Sequence, residues 1–127
     1  MQVDLVSPER ILYTGEAKMV IARTTDGEIA FLTGHAPFIG ALGIGEVMIR
    51  PLEGADEHVA VHGGFVEVSN DKVTILSDVA ELASQIDIVR AQRVIDEAER
   101  HTMQLDDAEA IARLARARLR LQVANGS

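Results

Sequence analysis

The stretch SQIDIVRAQR, residues 84–93, sets a carboxylate and a guanidinium three residues apart, Asp87 and Arg90. Further along, after the last acid Glu109, come Arg113, Arg116, Arg118 and Arg120. On a helix, steps of three and four put Arg113, Arg116 and Arg120 on one side. Guanidinium groups bind phosphate or carboxylate oxygens in charge-assisted pairs, so these positions can form an anion site. They also have local roles. Asp87 can cap a helix and pair with Arg90 for about a few tenths of a kcal/mol, and arginines late in a helix complement its dipole. Spacing alone leaves both readings open.

The other polar candidates are weaker. His58 and His62 lie four apart on a strand, about 13 Å, too far to share a metal, and read as side chains on one sheet face. His35, in GHAPFIG, falls in a loop between strands, and Gly63-Gly64 reads as a bulge or sheet corner. No phosphate loop, dinucleotide fingerprint, nucleophile elbow or zinc-protease motif occurs, so no catalytic residues are assigned. No metal site is expected. With no cysteine, the chain has neither disulfides nor a thiolate nucleophile.

The elements that must position these residues change character near Ser84. Up to there, strand-like runs such as AKMVIAR, EIAFL, EVMIR, HVAVH, FVEVS and KVTIL are separated by turn signals, among them Asp26-Gly27 and Asn70-Asp71. Alternation sets Val66 and Val68 opposite Phe65, Glu67 and Ser69, so each sheet has one apolar face that needs a cover. We expect an antiparallel β-sandwich of about ten strands over residues 1–84, followed by an antiparallel helical hairpin over residues 85–127. Ser84 and Asp87 match a capping box for a first helix from about Gln85 to Leu105, with an apolar stripe at Ile88, Ala91, Ile95, Ala98, Thr102 and Leu105. Asp106 and Glu109 repeat the signal for a second helix to about Val123, with a stripe at Ala110, Leu114, Ala117, Leu121 and Ala124. Stripes so rich in alanine bury little area, so the hairpin is expected to leave its docked position for a few kcal/mol.

Composition excludes some functions. Across 127 residues the net charge is -8, with 5 Lys+Arg against 13 Asp+Glu in residues 1–84 and 7 against 7 in residues 85–127. Nucleic-acid binding needs a basic face, so no nucleic-acid partner is expected. No apolar run approaches a membrane span, and the first ten residues lack the order of a signal peptide, so no direct membrane insertion is expected. A free-standing sandwich that binds a small ligand or protein, with the helices as a dimer interface, is a second reading of the same pattern.

The segments VSPERILYTGEAKMV, TTDGEIAFLTGHAPFIGALGIGEVMIR, VHGGFVEVSNDKVTILSDVAE and IDIVRA, in this order, resemble the epsilon subunits of F-type ATP synthases over nearly the whole chain. The resemblance implies a ten-stranded sandwich with a helical hairpin and a non-catalytic rotor role in a proton-translocating complex. The partners it implies are the gamma subunit, the c-ring and, through an extended hairpin that restrains ATP hydrolysis, the alpha/beta catalytic head. The implied location is peripheral, on the cytoplasmic face of the cell membrane. No cofactor is required, but some bacterial members bind ATP as a regulatory ligand on the compact hairpin. Their I/L-D-x-x-R-A motif is matched by Ile86, Asp87, Arg90 and Ala91, their second-helix arginines by Arg116 and Arg120, and a further ligand position by Glu81. Glu97 stands where those members carry another arginine. For the c-ring side the resemblance points to Glu28, His35, Pro37 and Phe38.

Overall fold

The computed structural model describes residues 1–100 and 108–125. Seven strands come first: β1 (Gln2–Val6), β2 (Ile11–Thr24), β3 (Gly27–Leu32), β4 (Phe38–Pro51), β5 (Glu57–Ser69), β6 (Lys72–Leu76) and β7 (Ala80–Leu82). They share one sheet, ordered β1-β6-β5-β4-β2-β3, with β7 on β5. An additional β1–β2 pairing closes the sheet on itself, so the sandwich is barrel-like. The reading of about ten strands and the seven observed differ because three strands run through both layers. β5, for example, pairs β7 through residues 59–61 and β6 through residues 65–69, while β4 follows it throughout. HVAVH and FVEVS are thus one strand. The all-antiparallel expectation also needs one correction, since β1 and β6 run parallel.

Glycine lets β5 change layers. Gly63 and Gly64 have φ of +95° and +128°, and a Cβ at Gly64 would lie 2.0 Å from the Leu76 carbonyl oxygen. Any other side chain there collides with backbone, so the GG pair is a sheet corner. Ser77 covers it, its Oγ donating to the Gly63 carbonyl at 2.6 Å. At the β5–β6 turn Asn70 and Asp71 both have positive φ, as a tight hairpin turn requires.

The apolar interior follows the alternation. Val66 and Val68 are buried and Phe65 is 58% exposed, while Val73 and Ile75 are buried on β6. With Leu5, Val20, Phe31 and Ile49 they form the barrel core. Each fully buried aliphatic side chain is worth about 1.5–3 kcal/mol, and this small-residue core gains from their number rather than from aromatic anchors.

After β7 the chain makes a short 3-10 turn, Ala83–Gln85, then helices α1 (Ile88–Arg100) and α2 (Ala108–Ala124). The cap is Asp87 rather than Ser84: its Oδ1 accepts the Arg90 amide at 3.0 Å, while Ser84 lies within the 3-10 turn. α1 begins later than expected because Gln85 is occupied in that turn, where its Oε1 accepts the Leu82 amide at 3.1 Å. Thr102, Leu105 and the Asp106 cap lie outside the described residues. Ala91 and Ile95 are buried as the stripe requires, but Ile88 is 48% exposed.

α2 has two apolar faces where one stripe was expected. Leu114 and Ala117 pack with Ile95, backed by Leu121, and join the helices. Leu119 and Val123 pack with Ala60 and Ile86 and seat α2 on the sheet. Both faces are used within the chain, so neither is left for the helical dimer interface of the second reading.

Candidate functional site

Where the hairpin meets the end of the sheet, the described residues enclose a cavity of about 310 Å³. This is near the lower end of the size range for small-molecule sites. β7 contributes Glu81, the start of α1 contributes Asp87, Arg90, Ala91 and Val94, and α2 contributes Arg113, Arg116 and Arg120. Six of the seven predicted nucleotide positions therefore come together, although they lie up to 39 residues apart in sequence. Ile86 takes a different place. It packs in the apolar cluster under α2 and acts as a seat for the helix that carries the arginines.

Each side chain is held by its local element. Asp87 spends Oδ1 on capping α1, which fixes its carboxylate at the helix start and leaves Oδ2 without a bonded partner among the described residues. The expected Asp87–Arg90 ion pair does not form. Glu81 Oε1 accepts from Arg120 Nε at 2.5 Å and lies 3.3 Å from His62 Nε2, tying β7, α2 and β5 together. Among the described residues Arg90, Arg113 and Arg116 have no carboxylate within ion-pair distance. The lining thus carries four guanidinium groups against two carboxylates, with one of each already paired. Such a cavity attracts a polyanion, and its edge carboxylate can accept an amino proton.

Val94 and Arg113 line the cavity outside the motif match, and His62 stands behind it on Glu81. Arg113 carries a signal in its spacing from Arg116 and Arg120, yet the matched positions do not include it. His62 carries none, because its link to Glu81 crosses 19 residues and two strands. Burial beneath the hairpin lowers the His62 pKa from its ordinary value, the nearby Arg120 charge lowers it further, and the Glu81 bond opposes both. His58 does lie on the same strand, but it contacts Glu46, Nδ1 to Oε1 at 2.7 Å. Among the described residues no group of three metal-ligating side chains is assembled, and no helix is long and apolar enough to cross a membrane.

The ring-side set is divided. His35, Pro37 and Phe38 sit together after β3, where the His35 ring contacts Phe31 edge-on at 5.0 Å between centroids and approaches Phe38 at 6.4 Å. Glu28 lies near the other end of β3 and lines a groove beneath α2 with Arg118. The structure does not bring Glu28 to the loop.

A separate outer surface is apolar. In register across the strands, Ala41 faces Phe65, Phe65 faces Leu76, Leu76 faces Val6, and Val6 faces Ile11. Phe65, Leu76 and Ile11 are each more than half exposed. At about 4.8 Å per strand the row is roughly 19 Å long. A contiguous exposed patch of this kind usually marks an interaction surface.

Comparison with known proteins places these features in a family. Residues 1–83 match the family model described as ATP synthase, Delta/Epsilon chain, beta-sandwich domain. The ATP synthase epsilon chain of Thermobifida fusca is 47% identical over 125 residues, covering 96% of this chain and 90% of that one. The epsilon chain of Streptomyces griseus is 44% identical over 121 residues, covering 94% and 93%. The fold also matches a chain in the Euglena gracilis mitochondrial ATP synthase, in a structure of its OSCP, F1 and c-ring, with TM-score 0.69, 20% identity and coverage of 97% of this chain and 76% of that one. A chain from the central stalk and c-ring of the Tetrahymena thermophila enzyme matches with TM-score 0.65, 20% identity and coverage of 98% and 96%. A sandwich of this topology, a two-helix tail and identity sustained along nearly the whole length together make the chain a member of the ATP synthase epsilon family.

Proposed function

We propose that the protein is a non-catalytic central-stalk subunit whose hairpin restrains ATP hydrolysis when extended and is held compact by a nucleotide. The observation that carries the nucleotide part is the cationic cavity between α1, α2 and β7, which exists only while the hairpin is docked. A polyanion bound there touches both helices and the sheet, so it favours the compact state by its whole differential affinity. ATP suits the lining: its phosphates meet the arginines, and its amino group can donate to Asp87.

The barrel is the fixed part. Its exposed apolar row from Phe65 to Ile11 is the surface we assign to the gamma subunit, and the loop of His35, Pro37 and Phe38 the one we assign to the c-ring side. The subunit is held peripherally at the membrane through those partners.

The test is removal of residues 87–127 from the chain in the assembled synthase. The barrel keeps its own core, so the shortened chain is expected to remain bound to gamma while ATP hydrolysis rises several-fold. Unchanged hydrolysis at full incorporation would reject the restraining role.

A further inference from the structure

We infer that His62 is a positioning residue of the nucleotide cavity, a buried imidazole that must stay neutral for Glu81 and Arg120 to hold α2 in place. This rests on the nucleotide reading above for its ligand, but the latch itself is built from the chain alone.

The His62 side chain is only 2% exposed. Its Nε2 shares Glu81 Oε1 with the Arg120 guanidinium, and its buried Nδ1 has no hydrogen-bond partner among the described residues. Only one neutral tautomer fits. With the proton on Nε2 the ring donates to the carboxylate and leaves a bare acceptor at Nδ1. The other tautomer would bury an unmet N–H and turn a lone pair toward the Glu81 oxygen.

The charges around the ring work against a second proton. From β7 it faces Glu81, and from α2 it faces Arg120 and Arg116. From β4 the residue opposite is Ile44, and the 3-10 turn Ala83–Gln85 brings no titratable group. An imidazolium would add a third cation around one carboxylate and bury a charged N–H with nothing to accept it. Undocking α2 carries both arginines away and wets the ring. The proton therefore prefers the undocked hairpin, and ATP, held by Arg116 and Arg120, prefers the docked one.

The sign follows from linkage. Burial, then Arg120, hold the docked pKa below the ordinary 6.5. Docking is therefore unimpaired above about pH 6.5 and is lost as pH falls toward the lowered docked value. One proton changes the docking equilibrium by at most about tenfold per pH unit.

The experiment uses the intact chain, with ATP as the probe. Calorimetric affinity is measured from about pH 8 to pH 5.5, alongside hairpin docking without ATP, read from dyes on two cysteines introduced at exposed Glu53 and Glu99 of this cysteine-free chain. Between those limits wild type is expected to lose more affinity than His62→Gln, by up to about tenfold, and its dye signal to report undocking that the variant does not show. Protonation of ATP itself is common to both proteins and cancels. Parallel pH curves for wild type and variant overturn the latch. If ATP binds with no excess pH dependence, the latch fails and the nucleotide reading stands. If ATP binds at no pH while only the wild-type dye signal moves, the latch stands and the nucleotide reading falls. Should His62→Gln not fold, His62→Asn replaces it. The His62 imidazole resonance of wild type decides independently, since titration at or above pH 6.5 in the docked chain overturns the inference.

Discussion

Replacing Phe65 and Leu76 together by glutamate is expected to weaken binding to the gamma subunit by about 100-fold or more, with the barrel still folded. Both side chains point outward from β5 and β6 and face each other in register, so neither substitution disturbs Val66 or Ile75 on the inner face. Central, fully desolvated apolar residues of an interface commonly cost about 2 kcal/mol or more each on truncation, and two buried carboxylates without partners cost at least as much. The barrel surface is already acidic, 13 acids against 5 bases in residues 1–84, so two more charges there do not by themselves threaten solubility. Sedimentation of the variant with purified gamma reads the outcome. Wild-type affinity in the double variant would move the gamma interface away from this row. Ile11→Glu, at the far end of the row, is expected to have a smaller effect of the same sign, as a rim position should.

That row illustrates how far the sequence could be read. The alternation in FVEVS sets Phe65 on the face opposite Val66 and Val68, and that in KVTIL sets Val73 and Ile75 opposite Thr74, because a period of two is a local property of a strand. What alternation cannot give is which outward residues end up side by side. Register across β5, β6, β1 and β2 decides that, and it depends on a parallel pair with no local signature. The same limit applied to strand number. HVAVH and FVEVS read as two strands on either side of Gly63-Gly64, yet the chain passes through that corner as one continuous strand. In the helices, the repeat at Ala91 and Ile95 was legible, but Leu119 and Val123 were not, since a helix with two buried faces blurs a single stripe. The site was legible where motif and spacing lay within one element, as for Asp87 with Arg90 and Arg116 with Arg120. It was illegible for His62, whose role exists only after β5, β7 and α2 converge.

Arg116→Ala is expected to weaken ATP binding by about 10-fold to 100-fold, the size of a charge-assisted bond to a buried anion. Arg113→Ala should follow with a smaller effect of the same kind. Both guanidinium groups line the cavity without a carboxylate partner among the described residues, so neither substitution orphans an acid in the free protein. Arg120→Ala is a different experiment. It removes a ligand and also strips Glu81 of its paired cation, so hairpin docking weakens even without nucleotide. The proper reference is Arg118→Ala, two residues from both Arg116 and Arg120 but turned toward the groove with Glu28, where it leaves the cavity unchanged. Titration calorimetry over a range of salt concentrations separates these cases, because removing an arginine that holds phosphate should also flatten the salt dependence of binding. The position of Glu97 sharpens the expectation: it is exposed on α1 and outside the cavity, so an anion must rely on α2 and Arg90 for its cations. If Arg116→Ala and Arg118→Ala bind ATP equally well, phosphate does not lie between these helices. The four arginines would then serve only the helix dipole and the hold on Glu81.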